Sequence, residues 1–155
     1  MMSRGDHHFG VQDRFLCSLK ERTFNAKTPR EYACASAEYG VYLCRTGRLS
    51  DARQICANIR ETYAGREDPE VYIWLMILES AASYYSNSST REKTKLIRAY
   101  AVAAAMGLRD LRQYSAAWLA HQYFNSGEYA AMGIWLERSG LNSASDDSTK
   151  IRACL

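Results

Sequence analysis

Two stretches of this chain, eighty residues apart, carry the same punctuation: Glu38 to Ala52 and Trp118 to Met132. Each holds an apolar segment with a small residue near its middle, Gly40 or Ala120. Each segment ends in a short polar cap and a glycine, Gly47 or Gly127, and a large apolar residue follows two places later, Leu49 or Tyr129. Glycine at such a point ends one helix in the left-handed conformation, and a second helix begins. A turn repeated in this way marks stacked helical hairpins, which cannot bury their apolar faces singly. The chain therefore reads as all-α.

The remaining segments fit that frame. Residues 1–10 read as a flexible leader, and Val11, Phe15, Leu16 and Leu19 then recur at helical spacing, predicting a short amphipathic helix to about Thr23. Thr28-Pro29-Arg30-Glu31 is a strong start signal, with Thr28 as cap, Pro29 in the first turn and Glu31 closing a capping box. That helix should run to about Thr46, and Ser50-Asp51 opens the next, ending near Gly65. Asp68-Pro69-Glu70 repeats the cap-plus-proline signal and opens an apolar helix through Tyr85. After a polar loop, Asn87 to Thr90, an alanine-rich helix spans Arg91 to Met106 and stops at Gly107. Helices at about Arg109–Asn125 and Glu128–Ser139 complete the series. Three hairpins result, at about 29–65, 69–107 and 109–140, so one repeat domain spans 11–140 and a polar linker and tail occupy 141–155.

Composition excludes several classes of function. A chain of 155 residues with 47% apolar and 24% charged residues suits one soluble domain. Twenty basic against seventeen acidic residues leave a net charge of +3, interspersed, which argues for neither nucleic acid nor a membrane surface. No apolar run approaches the ~20 residues of a membrane span, and Val71 to Leu78 reads as a buried helix face. The N-terminus lacks an apolar signal core. Five cysteines (17, 34, 44, 56 and 154) form no CxxC and are odd in number, which fits reduced, buried thiols in a cytoplasmic protein.

The first hairpin resembles the tetratricopeptide repeat family, matching its offsets with Gly40, Leu43, Gly47, Leu49 and Ala52, and with Pro69 after the second helix. The third matches with Leu119, Ala120, Tyr123, Gly127 and Tyr129, while Met132 stands where the family has alanine. Small residues let paired helices approach, and large ones fill the gap between them. The middle hairpin departs from the pattern, with no turn glycine and a longer loop, Ser86 to Thr90. A period near 40 also exceeds the usual ~34. Longer repeats of that kind occur in sensor domains of large bacterial regulators, which the run Ala99 to Gly107 also resembles. The resemblance covers about residues 29–140 and implies a right-handed solenoid of three stacked antiparallel hairpins whose first helices line a concave groove.

The family's register, carried over, places Cys34, Ala37, Val41, Cys44 and Arg45 of the first hairpin in that groove. Leu75, Leu78 and Tyr85 come from the middle hairpin, and Tyr114, Ala117, His121, Phe124 and Asn125 from the third. This set is apolar and aromatic. The Lys and Asn residues with which family members clamp a carboxylate are missing, so the resemblance implies a hydrophobic peptide or partner helix as ligand. The competing reading buries these residues against each other or under the helix at 11–23.

His121, the one histidine outside the leader, has no acid or cysteine at ligand spacing and reads as packed or groove-lining. His7-His8 and the tripeptide Arg4-Gly5-Asp6 are discounted as chance features of the leader. No nucleophile motif, phosphate-binding glycine loop or metal cluster occurs, so no cofactor, metal or enzymatic activity is expected. Most of the eleven tyrosines and three tryptophans should be hairpin core, with Tyr84-Tyr85 the leading candidate for an interface. The expected function is a cytoplasmic protein-binding adaptor or chaperone, with no nucleic-acid or membrane partner and self-association left open. The alternative is a sensor or oligomerisation domain of a larger bacterial regulatory protein.

Overall fold

The computed structural model describes residues 6–86 and 92–140, and among them it contains seven helices and no strand. These are α1 (Asp6–Phe24), α2 (Pro29–Arg45), α3 (Leu49–Thr62), α4 (Pro69–Tyr85), α5 (Glu92–Ala105), α6 (Arg109–Asn125) and α7 (Tyr129–Ser139). Six of the seven lie where local signals put them. α1 starts five residues ahead of the expected Val11, so part of the expected leader is helical. The loop Asn87–Thr90 and the 141–155 tail, with Cys154, lie outside the described residues.

Helix starts follow from side-chain caps. Thr28 Oγ1 accepts from the Glu31 amide at 3.1 Å, and Asp68 Oδ1 accepts from the amides of Glu70 and Val71 at 3.1 and 3.2 Å. Glu31 reaches back one residue further than a capping box requires, taking the Lys27 amide at 2.8 Å. Proline follows each cap, where its missing N–H costs nothing.

The ends of α2, α5 and α6 share one geometry. Gly47 and Gly127 have φ of +82° and +76°. The Gly47 amide donates to Cys44 O and the Arg48 amide to Leu43 O; Gly127 and Glu128 repeat this with Phe124 O and Tyr123 O. This paired pattern is the Schellman motif. Gly107 and Leu108 make the same two bonds, to Ala104 O and Ala103 O, although they join α5 to α6 rather than the two helices of an expected hairpin. The turn thus joins α2 to α3, α5 to α6 and α6 to α7 alike, and its recurrence does not by itself mark where a hairpin lies.

Every helix packs against the next in the chain, and α2 also packs against α4. Gly40 allows the α2–α4 approach, since a Cβ there would stand 2.8 Å from Leu78 Cδ1. The core is continuous from Ala33 on α2 through Ile77 on α4 and Leu96 on α5 to Trp135 on α7. Leu49 is half-buried in the turn as expected. Tyr129 is not a gap filler: it is 62% exposed and sets its ring 6.1 Å from that of Phe124.

Candidate functional site

Residues expected to line one groove fall into three environments. Val41, Cys44, Leu78 and Tyr114 are core, with Tyr114 the most accessible at 6%, and Ala37 is buried with them. These four site expectations are corrected: α2, α4 and α6 are covered on several sides, so their inward positions meet neighbouring helices rather than a ligand. Tyr114 packs its ring 5.6 Å from that of Trp74 on α4. Cys34 is half-buried in a different cleft, beside Arg30 and Glu70. Leu75 also lies elsewhere, between α3 and α5.

Arg45, Tyr85 and His121 do come together. Arg45 stands in the last turn of α2, held there because Gly47 ends the helix two residues on. Tyr84 and Tyr85 occupy the corresponding last turn of α4, and Trp118 and His121 lie one turn apart on α6. The Arg45 guanidinium sits over the Trp118 ring, 5.0 Å from its centroid. Tyr85 meets Trp118 edge-on at 6.3 Å, Tyr84 meets His121 at 5.8 Å, and Trp118 meets His121 at 5.9 Å. Tyr84 and Tyr85 close the ring of contacts at 5.1 Å. Edge-to-face pairs of this kind hold one another in place by ~0.5–1.5 kcal/mol each beyond area burial.

Electrostatics distinguish this cluster from ordinary core. Arg45 has no hydrogen bond or ion pair among the described residues, leaving a half-buried cation held by an indole face. Partial burial, and then the Arg45 charge, push the His121 imidazole below its ordinary pKa. The Asn125 side-chain amide lies 3.1 Å from His121 Nε2 and 3.0 Å from the His121 carbonyl. Burial raises the Tyr85 phenol. The Trp118 indole N–H is buried with no hydrogen-bond partner. Arg45, Trp118 and His121, with Tyr114, line a narrow crevice on this side of the molecule.

Phe124 and Asn125 lie beyond the cluster at the end of α6. Phe124 is 55% exposed and turns towards Tyr129 on α7. Sequence reasoning missed Trp118, although its spacing signalled it: it sits four residues after Tyr114 and three before His121, on the same helix face.

Among the described residues no group of three His, Cys, Asp or Glu side chains is placed to hold a metal ion, and no helix is long and apolar enough to cross a membrane. The four described cysteines form no disulfide; Cys17 is exposed rather than buried as expected, and burial pushes the Cys34 and Cys44 thiols up to about 12. No protein-family model matches this chain, and neither a curated protein nor a solved structure matches it.

Proposed function

We propose that this protein is a non-catalytic protein-binding module, an adaptor or chaperone, that holds a hydrophobic segment or partner helix against α2, α4 and α6. The observation that carries this reading is the Arg45–Tyr84–Tyr85–Trp118–His121 cluster. Rigid aromatic rings and an arginine without an anionic partner, drawn from three helices, have the composition of an interface hot spot. An incoming apolar side chain would rest against the Tyr84 and Tyr85 rings, and Arg45 is free to meet a backbone carbonyl or carboxylate of the same segment. A tetratricopeptide-like solenoid would account for the arrangement, because its first helices share the concave face. Packing of each helix on its chain neighbour supports that architecture.

A photo-crosslinking phenylalanine analogue at position 85 tests the assignment, with the same group at the exposed Ile97 position on α5 as control. A cellular partner should crosslink from position 85 and not from 97, and Arg45→Ala should reduce the yield. Equal crosslinking from both positions would sink the reading.

One observation favours the alternative, a sensor or oligomerisation domain of a larger protein. Phe124, Tyr129 and Ile134 are each more than half exposed on the last two helices. Such apolar exposure suits contact with a second copy or another domain. Sedimentation at rising concentration distinguishes the readings: a monomer throughout disfavours self-association, and a dimer broken by Ile134→Glu supports it.

A further inference from the structure

The side of α4 turned away from the aromatic cluster carries a second feature. Positions 72, 75, 79, 82, 83 and 86 share one face of α4 by helical spacing, with α3 on one side and α5 on the other. Two adjoining hollows, about 450 and 380 Å³, lie along this face and are both bordered by Arg60. The larger is apolar and aromatic, built by Tyr63, Val71, Tyr72, Leu75 and Val102. The smaller is basic.

In the basic hollow Glu79 is mostly buried and pairs with Arg60 and with Lys95, the latter at 2.8 Å. Arg53 also lines the hollow and has no hydrogen bond or ion pair among the described residues. Three cations therefore face one carboxylate, a local charge of +2. At the apolar end Arg66 sits over the Tyr63 ring, 5.8 Å from its centroid, Glu67 lines the same hollow with the opposite charge, and Asp68 is occupied as the α4 cap and by Arg30. The excess positive charge is thus confined to one end of the groove.

The spacing sets the size of what fits. Tyr72 and Ala82, which line the two hollows, are ten residues apart on α4, about 15 Å along its axis. An extended chain covers that distance in about four or five residues.

We propose that this groove binds an extended segment of a partner protein that carries a bulky apolar side chain and, four or five residues away, an acidic residue. The apolar anchor fills the tyrosine-lined hollow, and the acid meets the cations of the other, where charge complementarity selects it. A free long-chain acid is a poorer match, because Arg60 borders both hollows and sets a charged group between the apolar anchor and the other cations. This site is independent of the cluster on the opposite side of α4.

The test uses a fluorescently labelled synthetic peptide with one phenylalanine and, five positions on, two consecutive glutamates, joined by glycine and serine. Anisotropy with the full-length protein should show saturable binding that weakens as salt rises. Arg53→Glu, an exposed substitution that spares the Glu79 pairs, should weaken it about tenfold or more, as should phenylalanine-to-alanine in the peptide. Tyr72→Ala supplies a second protein variant, and binding should persist in Arg45→Ala. No saturable binding, or undiminished binding to Arg53→Glu, overturns the proposal. Loss in Arg45→Ala also overturns it, because the peptide would then sit on the other face. Displacement by dodecanoate at a lower concentration than by unlabelled peptide would assign the groove to free acids instead.

Discussion

Gly40 and Gly133 offer the same substitution in two surroundings. Both are helical, Gly40 midway along α2 and Gly133 in α7. A Cβ at Gly133 meets nothing within 4 Å, whereas one at Gly40 lies 2.8 and 3.2 Å from the Leu78 methyls and 3.6 Å from Ile55 Cγ2. Glycine to alanine in an open helix gains about 0.5–1 kcal/mol by narrowing the unfolded ensemble. Gly133→Ala should show that gain. At Gly40 the same gain meets overpacking, typically ~1–3 kcal/mol, because Leu78 is fully buried and its methyls have no solvent to turn into. Gly40→Ala should therefore be neutral to about 2 kcal/mol destabilised. Urea unfolding followed by circular dichroism measures both, with a constant slope confirming that the unfolded states are comparable. Leu78→Ala alone should cost ~2–5 kcal/mol. In that background Gly40→Ala should become stabilising, giving a coupling of ~1–3 kcal/mol between the two positions. If Gly40→Ala stabilises as much as Gly133→Ala, the close α2–α4 approach is wrong.

Three further outcomes follow from single features. Gly47→Val and Gly127→Val should each lose about 1 kcal/mol or more; no atom crowds either site, so unfolding midpoints would report left-handed backbone strain alone. Phe124→Ala should cost less than ~1 kcal/mol because the ring is over half exposed, while Tyr114→Ala should cost about 3 kcal/mol; equal losses would contradict the burial pattern. Burial alone would raise the Glu79 carboxyl, but hydrogen bonds from Lys95 and Arg60 outweigh it and hold the group below the ordinary range. The unfolded chain then takes up this proton first as pH falls, so the stabilisation is complete above about 4.3 and is lost as pH drops through the lower folded value. Glu79→Gln should flatten the acid limb of stability against pH, and an unchanged limb would mean the carboxylate is not held by these cations.

Helix positions were legible in the sequence because their signals are local. Thr28-Pro29, Asp68-Pro69, Gly47 and Gly127 act within one turn of the chain, and the structure uses each as its chemistry dictates. Facing was less legible. Ten of the seventeen residues of α2 are buried, and ten of the seventeen of α6, so neither helix has a single apolar stripe from which core and surface can be separated. A register borrowed from a repeat family then assigns Val41 and Cys44 to an open face when they meet α4 instead. Arg45, Tyr85 and His121, which do come together, stand within the last turns of α2 and α4 and late in α6, where neighbouring helices no longer cover them. The α3–α5 groove left no signature of its own: Arg53, Cys56 and Arg60 come from one helix, and only the packing of α3 on α4 brings them beside Glu79.

The alignment of α4 with α6 draws on one polar pair. Gln122 donates to Ser80 Oγ at 3.1 Å, and both side chains are buried. Such a bond adds little net stability, about 0.5–1.5 kcal/mol, because both groups were hydrogen-bonded to water before folding. Its larger effect lies in what it forbids. Sliding α6 by one turn, about 5.4 Å, would leave the Gln122 amide buried without this partner, at about 1–3 kcal/mol. An apolar contact between the same helices would oppose that shift much less steeply, since one methyl serves nearly as well as another. Tyr84 and Tyr85 lie about one turn after Ser80, while Trp118 and His121 lie within about one turn before Gln122. The ring contacts that shape the proposed binding face are therefore tied to this bond through two short rigid segments. Removing both polar groups together would leave the helices packed but their register less sharply set, so the pair serves the alignment of the binding face more than the stability of the fold.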